Sequence, residues 1–369
     1  ERFALKQSQA FVDQMEGFAL ELEDELMNFS DVSYKSFVKS ESEIITLFYD
    51  KFADIPLLSR MDAVAETFID EIETLLNRDL PEEERIPLIE KFQKMYETMD
   101  FYVLYNRFLK KEGYQTLPRR PLEKRKLRYE DVYPVLYLKY RLSRQAERSN
   151  IKHLVIDEMQ DYSLLQYLII RRMFSCKMTI LGDRAQTMAD QQQDVLQFLP
   201  GIFGKDLRRI EMRKSYRNTV EIASYAANLI GVTDLELFER HGMPVLERDV
   251  TDLEAALREA VDTLFPDEKT YETAAVIVPD EKTAERAYLI LREILAEKDF
   301  DCGKRLSWLN RDSSSFKKGL TVTTFYLAKG LEFDQVFSIF PKDEKREIMM
   351  QAQYIAATRA LHELRVYHI

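Results

Sequence analysis

Cysteine is nearly absent: only Cys176 and Cys302 occur, which excludes a disulfide framework and a zinc cluster and makes a reducing cytoplasmic compartment the natural one. Glycine is scarce, 10 residues in 369, or about 3% against a usual ~7%. That bears on phosphate-cradling loops, which need several glycines close together. No apolar run approaches the ~18 residues that span a bilayer, so no membrane association is expected. The four histidines (153, 241, 362, 368) have no metal-ligand spacing. Positive charge is in deficit, with 64 acidic against 53 basic residues and a formal net charge of -11. A protein that lives on nucleic acid alone is more often basic, so any such contact is a local patch, or the main partner is a protein. The start, Glu1-Arg2-Phe3-Ala4, has neither initiator Met nor signal peptide and reads as the cut end of something longer.

What is present is ordinary globular composition, 46% hydrophobic and 32% charged, in a length that predicts two or more domains. Residues 1 to about 145 read as helical. Phe11, Met15, Phe18, Leu22 and Met27 recur at helical spacing, and further helices are predicted at Val64–Leu76, Pro87–Leu109 and Asp131–Ser149. Between them, Pro118–Arg128 is a basic, proline-containing loop that could meet nucleic acid or an acidic protein surface, or simply be solvated. From His153 the pattern changes to alternating strand and helix. Strands are predicted at His153–Ile156 (a buried parallel strand), Lys177–Leu181, Leu207–Met212, Ala274–Pro279, Leu320–Thr324, Gln335–Phe340 and Leu364–Tyr367. Helices fall at Leu164–Phe174, Asp194–Leu199, Thr219–Leu229, Asp252–Leu264, Thr283–Glu297 and Ile348–Ala360. Gly231–Arg248 is an irregular link and a candidate hinge. This alternation predicts a parallel α/β sheet. Trp308, Met173, Phe174 and Met178 are assigned to cores, and His362 to a structural role.

Five short elements carry chemistry. Asp157-Glu158 follows an apolar strand; such a pair can hold Mg²⁺ and polarise a water, or Asp157 can merely cap the next helix. Gly182-Asp183-Arg184-Ala185-Gln186 closes the next strand and brings an amide to the sheet edge that carries Glu158, where α/β folds bind ligands. Lys214-Ser215-Tyr216-Arg217-Asn218 places an arginine at a strand–helix junction. Thr323–Asp334 contains Lys329-Gly330-Leu331-Glu332-Phe333, and Thr358-Arg359-Ala360 follows.

In this order the five resemble the later motifs of superfamily 1 helicases of the UvrD/Rep type, over residues 151–369. The resemblance implies ATP and Mg²⁺ as cofactors. It makes Asp157 the metal ligand, Glu158 the water-activating acid, Gln186 the γ-phosphate sensor, and Arg217 and Arg359 two arginine fingers. Glu332 would contact the ribose, with Lys329 and Gly330 against the phosphates. Replacing Arg359 by alanine would then abolish turnover with folding intact. The run Ile156–Ser163, with Tyr129-Glu130-Asp131-Val132 and Leu136–Tyr140 upstream and Ala360-Leu361-His362-Glu363-Leu364 downstream, is similar to the HelD branch, ATPases that bind bacterial RNA polymerase and free it from nucleic acid. The implied architecture is an all-helical arm (1–145), the remainder of a first RecA-like parallel-sheet domain (146–230) and a near-complete second one (231–369).

The chain also departs from that pattern. No Gly-x-x-x-x-Gly-Lys-Ser/Thr occurs; Gly204-Lys205 and Gly303-Lys304 lack the second glycine and the hydroxyl residue. A C-terminal fragment whose phosphate loop lies upstream is expected, and such a chain alone is expected to be inactive towards ATP. Thr187-Met188-Ala189 offers no aromatic for base stacking, and only about a hundred residues separate Arg217 from Thr323. Both departures favour an RNA-polymerase-directed ATPase over a repair helicase translocating on single-stranded DNA. A non-hydrolysing interaction module is the third reading.

Overall fold

The computed structural model describes residues 2–144, 150–183, 186, 195–232, 236–264, 271–297, 305–311, 313, 318–342 and 347–369. Arg184, Ala185, Thr187, Met188, Ala189, Cys302, Gly303 and Lys304 lie outside them. The chain forms two compact units, Glu1–Gly182 with Gln193–Leu207, and Asp183–Gln192 with Arg208–Ile369.

The first unit opens with α1 (Arg2–Lys6), α2 (Gln9–Glu25), the hairpin β1 (Val32–Tyr34) and β2 (Phe37–Lys39), and α3 (Glu41–Thr46). It continues with α4 (Arg60–Leu76), α5 (Glu82–Gln93), α6 (Phe101–Lys111) and α7 (Tyr129–Leu142). α4 shows why these segments are helices. Met61, Val64, Ala65, Phe68, Ile69 and Ile72 fall on one face and are buried, and the helix stops at Asn77 in the left-handed region (φ 49°), which Asn tolerates. The hairpin is absent from the sequence expectations. So is the break that divides Pro87–Leu109. Lys94–Met99 leaves the helix, where Asn28 N–H donates to Met95 O and Glu97 N–H to Leu26 O, and Asp100 caps α6 through Tyr102 N–H at 2.9 Å. Lys6, buried, is ion-paired with Asp131, which also accepts from Tyr105 Oη at 2.7 Å and so ties α1 and α6 to α7.

β3 (His153–Ile156), α8 (Leu164–Met173), β4 (Lys177–Ile180) and α9 (Val195–Phe203) complete this unit. β3 and β4 pair in parallel, Leu154 opposite Met178 and Ile156 opposite Ile180. β3 is not the buried strand expected: Ile156 is buried, but Val155 is 60% exposed. The sheet has two strands here, and only its Leu154/Ile156/Ile180 face is covered, by Tyr167 of α8 and Val195 and Leu199 of α9.

The second unit contains β5 (Lys214–Ser215), α10 (Val220–Ile230), β6 (Glu236–Leu237), β7 (Leu246–Asp249), α11 (Leu253–Asp262), β8 (Thr273–Val278) and α12 (Glu281–Glu297). β9 (Leu306–Trp308), β10 (Gly319–Thr324), β11 (Phe333–Phe340), α13 (Glu347–Thr358) and β12 (Ala360–His368) follow. Six strands, ordered β7-β12-β11-β8-β10-β9, form one parallel sheet. Its period-two alternation feeds two cores. Ala274, Val276 and Val278 meet α11 and α12, whereas Ala275 and Ile277 meet α10 and α13. This is a RecA-like, doubly covered α/β sheet. Edge strands β7 and β9 escape the sequence expectations because they are short and β7 is exposed throughout. The strand expected at Leu207–Met212 does not form: Ile210 is 72% and Met212 87% exposed, with no partner strand among the described residues. Trp308 stacks on Tyr288 at 6.1 Å, in its expected core. Among the described residues no helix is long and apolar enough to cross a membrane.

Candidate functional site

In the first unit, β3 hands directly to Asp157 and Glu158. Glu158 takes φ 53°, ψ 50°, a left-handed conformation that costs a non-glycine residue about 1–2 kcal/mol. Local bonds hold it there. Asp157 Oδ1 accepts from Glu158 N–H at 2.8 Å, Glu158 O accepts from Asp161 N–H at 2.9 Å, and Gln160 Nε2 donates to Glu158 Oε2 at 2.6 Å. Gln160 is itself buried, so it acts as a fixed arm that aims the Glu158 carboxylate. Asp157 stays exposed.

Capping is not Asp157's task. α8 is capped by Ser163, which accepts from Gln166 N–H while the Gln166 side chain returns a bond to Ser163 N–H. Gly182, at the end of β4, explains itself sterically. A Cβ there would lie 2.4 Å from Met159 Cγ and 2.6 Å from Met159 N, so the Asp-Glu turn can lie against β4 only if this residue has no side chain. Met159 N–H donates to Leu181 O at 2.8 Å across the same contact.

In the second unit, Arg359 is the largest fully buried side chain, 2% exposed at the end of α13. Its guanidinium donates to Ile355 O (3.3 Å), Leu331 O (3.4 Å), Thr358 Oγ1 (3.1 Å) and Gln186 Oε1 (3.2 Å). Gln186 is buried too, and its Nε2 donates to Asp183 Oδ2 at 2.9 Å. Tyr354, one turn before Thr358, donates to the same Asp183 oxygen at 3.1 Å. Burial, reinforced by that carboxylate, pushes the phenol well above its usual range, so it stays a donor. Arg217 is about half exposed, and its Nε lies 2.6 Å from Glu332 Oε1. Gly330 has φ +80° with open space around a would-be Cβ, so its backbone conformation requires glycine. Lys329 is half-buried beside it.

Thus the structure joins Gln186 with Arg359, and Arg217 with Glu332. Sequence reasoning quoted Gln160, Asp183, Asn218 and Asp334 without giving them work. Asn218, buried, donates from Nδ2 to Ala360 O (2.7 Å) and Thr358 O (3.3 Å), stitching the Ser-Tyr-Arg element to the Thr-Arg-Ala element. Asp334 Oδ2 accepts from Glu272 N–H, Thr273 N–H and Thr273 Oγ1, each at 2.9 Å, clamping the start of β11 to β8. Tyr354, at the head of the element that ends in Thr358-Arg359-Ala360, also had no role, and Arg240 was missed altogether; Arg240 donates to Arg217 O and to Leu361 O. His362 stacks on Tyr271 at 5.6 Å, near Asp334, which suits its structural assignment.

Residues 6–188, just under half of the chain, match the UvrD/REP helicase N-terminal domain family. That stretch is UvrD-like. The match begins inside the helical region, where no motif is legible by eye, and runs through Asp157, Glu158 and Gln186. No curated protein matches the chain. Among solved structures it is similar to the C-terminal domain of a possible DNA helicase from Lactobacillus plantarum WCFS1, at 24% identity over 42% of this chain and 88% of that one (TM-score 0.33). It is similar also to PRRSV helicase (14%, 72% of this chain, 45% of that one, TM-score 0.33) and to the arterivirus nonstructural protein 10 helicase in complex with DNA (13%, 72% and 51%, TM-score 0.33). The chain spans about half the length of the two viral helicases, and at these TM-scores the superpositions are loose.

Proposed function

We propose that this UvrD-like chain is the C-terminal part of an ATP-driven superfamily 1 motor of HelD type, a cytoplasmic protein that uses hydrolysis to release or recycle RNA polymerase. Residues 1–145 are its arm, 146–230 the remainder of the first motor domain, and 231–369 the second. The observation that carries this reading is the pairing of the candidate residues: both candidate arginines are already bound to other candidate site groups, Arg359 to Gln186 and Arg217 to Glu332. A γ-phosphate arriving near Gln186 would compete for the Arg359 guanidinium, which couples nucleotide state to the α13–β12 junction.

ATP and Mg²⁺ fit part of this chain. Mg²⁺ is commonly held by one or two carboxylates plus phosphate oxygens, and Asp157 offers one exposed carboxylate. Among the described residues no cluster of three potential ligands competes with it. Bound Mg²⁺ would neutralise phosphate charge. Glu158, aimed by Gln160, would accept a proton from the attacking water, and Arg217 and Arg359 would stabilise charge on the transferred phosphoryl, each worth ~10³-fold or more. Lys329, Gly330 and Glu332 would line the nucleotide. A phosphate-cradling motif is missing from these 369 residues, so turnover is assigned to the intact protein and not to this chain alone.

The acidic balance supports a protein partner over DNA unwinding. The test is to challenge stalled transcription complexes with the intact protein and ATP. ATP-dependent release of RNA polymerase, lost in Glu158→Gln, is expected. Release that ignores ATP would point to a non-hydrolysing module, and strand separation without polymerase release to a DNA-unwinding helicase.

A further inference from the structure

Within the Gly231–Arg248 link, whose sequence marks a candidate hinge, residues 236–242 are fastened as a strap. β6 runs alongside β5, with Lys214 opposite Glu236 and Ser215 opposite Leu237, and Phe238 N–H continues the pairing to Ser215 O at 3.1 Å. Arg240 then meets α10. Its N–H donates to Phe238 O at 2.6 Å, and its carbonyl accepts from the N–H of Val220, the first residue of α10, at 2.9 Å. Glu221 holds the next two residues: its carboxylate bonds to His241 Nδ1 and accepts from Gly242 N–H, each at 2.9 Å. With its backbone fixed on both sides, Arg240 makes a bridge. Nη2 carries two hydrogens and donates to two carbonyls, Arg217 O and, at 2.9 Å, Leu361 O. Its Nε is buried with no hydrogen-bond partner among the described residues, a desolvation cost that an apolar side chain of similar length would not carry. Packing alone therefore does not account for an arginine here, whereas the bridge requires a donor.

We propose that Arg240 is a positioning residue for Arg217, and that the strap sets the spacing between the two candidate arginine fingers. The bridge ties the carbonyl of Arg217 to Leu361, two residues beyond Arg359. Asn218 adds a second tie, from the residue after Arg217 to the carbonyls of Thr358 and Ala360 on either side of Arg359. The backbone that carries Arg217 is thus registered against the backbone that carries Arg359. The two side chains differ in how much they depend on that register. Arg359 is buried and fixed by acceptors of its own. Arg217 is about half exposed and meets the exposed Glu332, and surface pairs of that kind hold a side chain weakly, so its place depends on where its backbone is held. The proposal rests on the reading of Arg217 as a group that meets the transferred phosphoryl; Arg240 itself acts only through Arg217.

The test is a double-mutant cycle on ATP turnover by the intact protein. Arg240→Met keeps an unbranched side chain and removes the donors. A small misplacement of a catalytic group costs up to ~10²-fold, so kcat should fall roughly tenfold to 10²-fold while KM for ATP stays within about twofold. In an Arg217→Ala background the same substitution should change kcat by no more than about twofold, because the group it positions is gone. Equal losses in both backgrounds, or native turnover by Arg240→Met, would overturn the proposal and leave the role of Arg217 standing. Native turnover by Arg217→Ala would overturn that role and the proposal with it. Circular dichroism checks that the variants fold. If Arg240→Met does not, Glu221→Ala, which releases the strap at His241 and Gly242, takes its place in the same cycle with the same deciding outcomes.

Discussion

Arg359→Ala should unfold the second unit more easily, whereas Arg217→Ala should not, although the family resemblance gives both residues the same role. The difference lies in their surroundings. Arg359 is 2% exposed and donates to two backbone carbonyls, a hydroxyl and the Gln186 amide. Alanine would take this donor from Gln186 Oε1 and Leu331 O, while Ile355 O keeps its bond from Thr358 Oγ1, and would leave a cavity the size of the lost side chain. Orphaned buried groups cost about 1–3 kcal/mol each, partly recovered by relaxation, so a total of about 3 kcal/mol is reasonable. Arg217 makes an exposed ion pair with Glu332, and such pairs contribute about 0–1 kcal/mol. The chain supplies its own reporter, because its single tryptophan, Trp308, lies in β9 of the second unit, stacked on Tyr288. Urea denaturation followed by Trp308 emission, at a slope of about 2 kcal/mol per molar, should show the midpoint of Arg359→Ala lowered by about 1.5 M and that of Arg217→Ala unchanged within about 0.5 M. Equal midpoints for Arg359→Ala and the native chain would refute the burial argument. The expectation that Arg359→Ala spares folding is therefore corrected: its loss of activity would mix chemistry with stability, and Arg217→Ala is the cleaner probe.

Further outcomes follow from single contacts. Gly182→Ala sets a Cβ 2.4 Å from Met159 Cγ, so it should destabilise the first unit by about 1–3 kcal/mol and shift the amide resonances of Asp157 and Glu158; unchanged spectra would contradict the close approach. Asn218→Ala leaves the carbonyls of Ala360 and Thr358 without their donor and should cost about 1–3 kcal/mol by the same Trp308 titration, with a neutral result ruling out the stitch. Glu221 bonds to His241 Nδ1 and to Gly242 N–H, which lower its pKa to about 2. A depressed acid stabilises the fold above its unfolded value and loses that contribution as pH falls through the folded value, so the Gly242 amide should be released between about pH 4.5 and 2. A carboxyl titration midpoint near 4.5 would show that the bond does not form.

How much of this was legible in the sequence depends on where the signal resides. The central strands β8, β10 and β11 were readable because they are six to eight residues long, buried on both faces and rich in apolar and β-branched residues. The edge strands were not: β7 has no buried residue, and β9 is three residues long. Leu207–Met212 shows the opposite error, an apolar pattern that finds no partner strand and stays exposed. At the site, the motif residues were legible as residue types at fixed spacing. Their supports were not, because Asn218 and Arg240 act through tertiary contacts, such as the reach of Asn218 to Ala360, that local sequence does not encode.

The central claim is an ATP-driven motor whose water-activating acid is Glu158. The most direct test is phosphate release from ATP by the intact protein, with and without single-stranded DNA, and with Glu158→Gln as the comparison. The account predicts steady turnover that DNA leaves unchanged and a loss of ~10³-fold or more in Glu158→Gln, with folding preserved. Equal turnover by the native and Glu158→Gln proteins would contradict it.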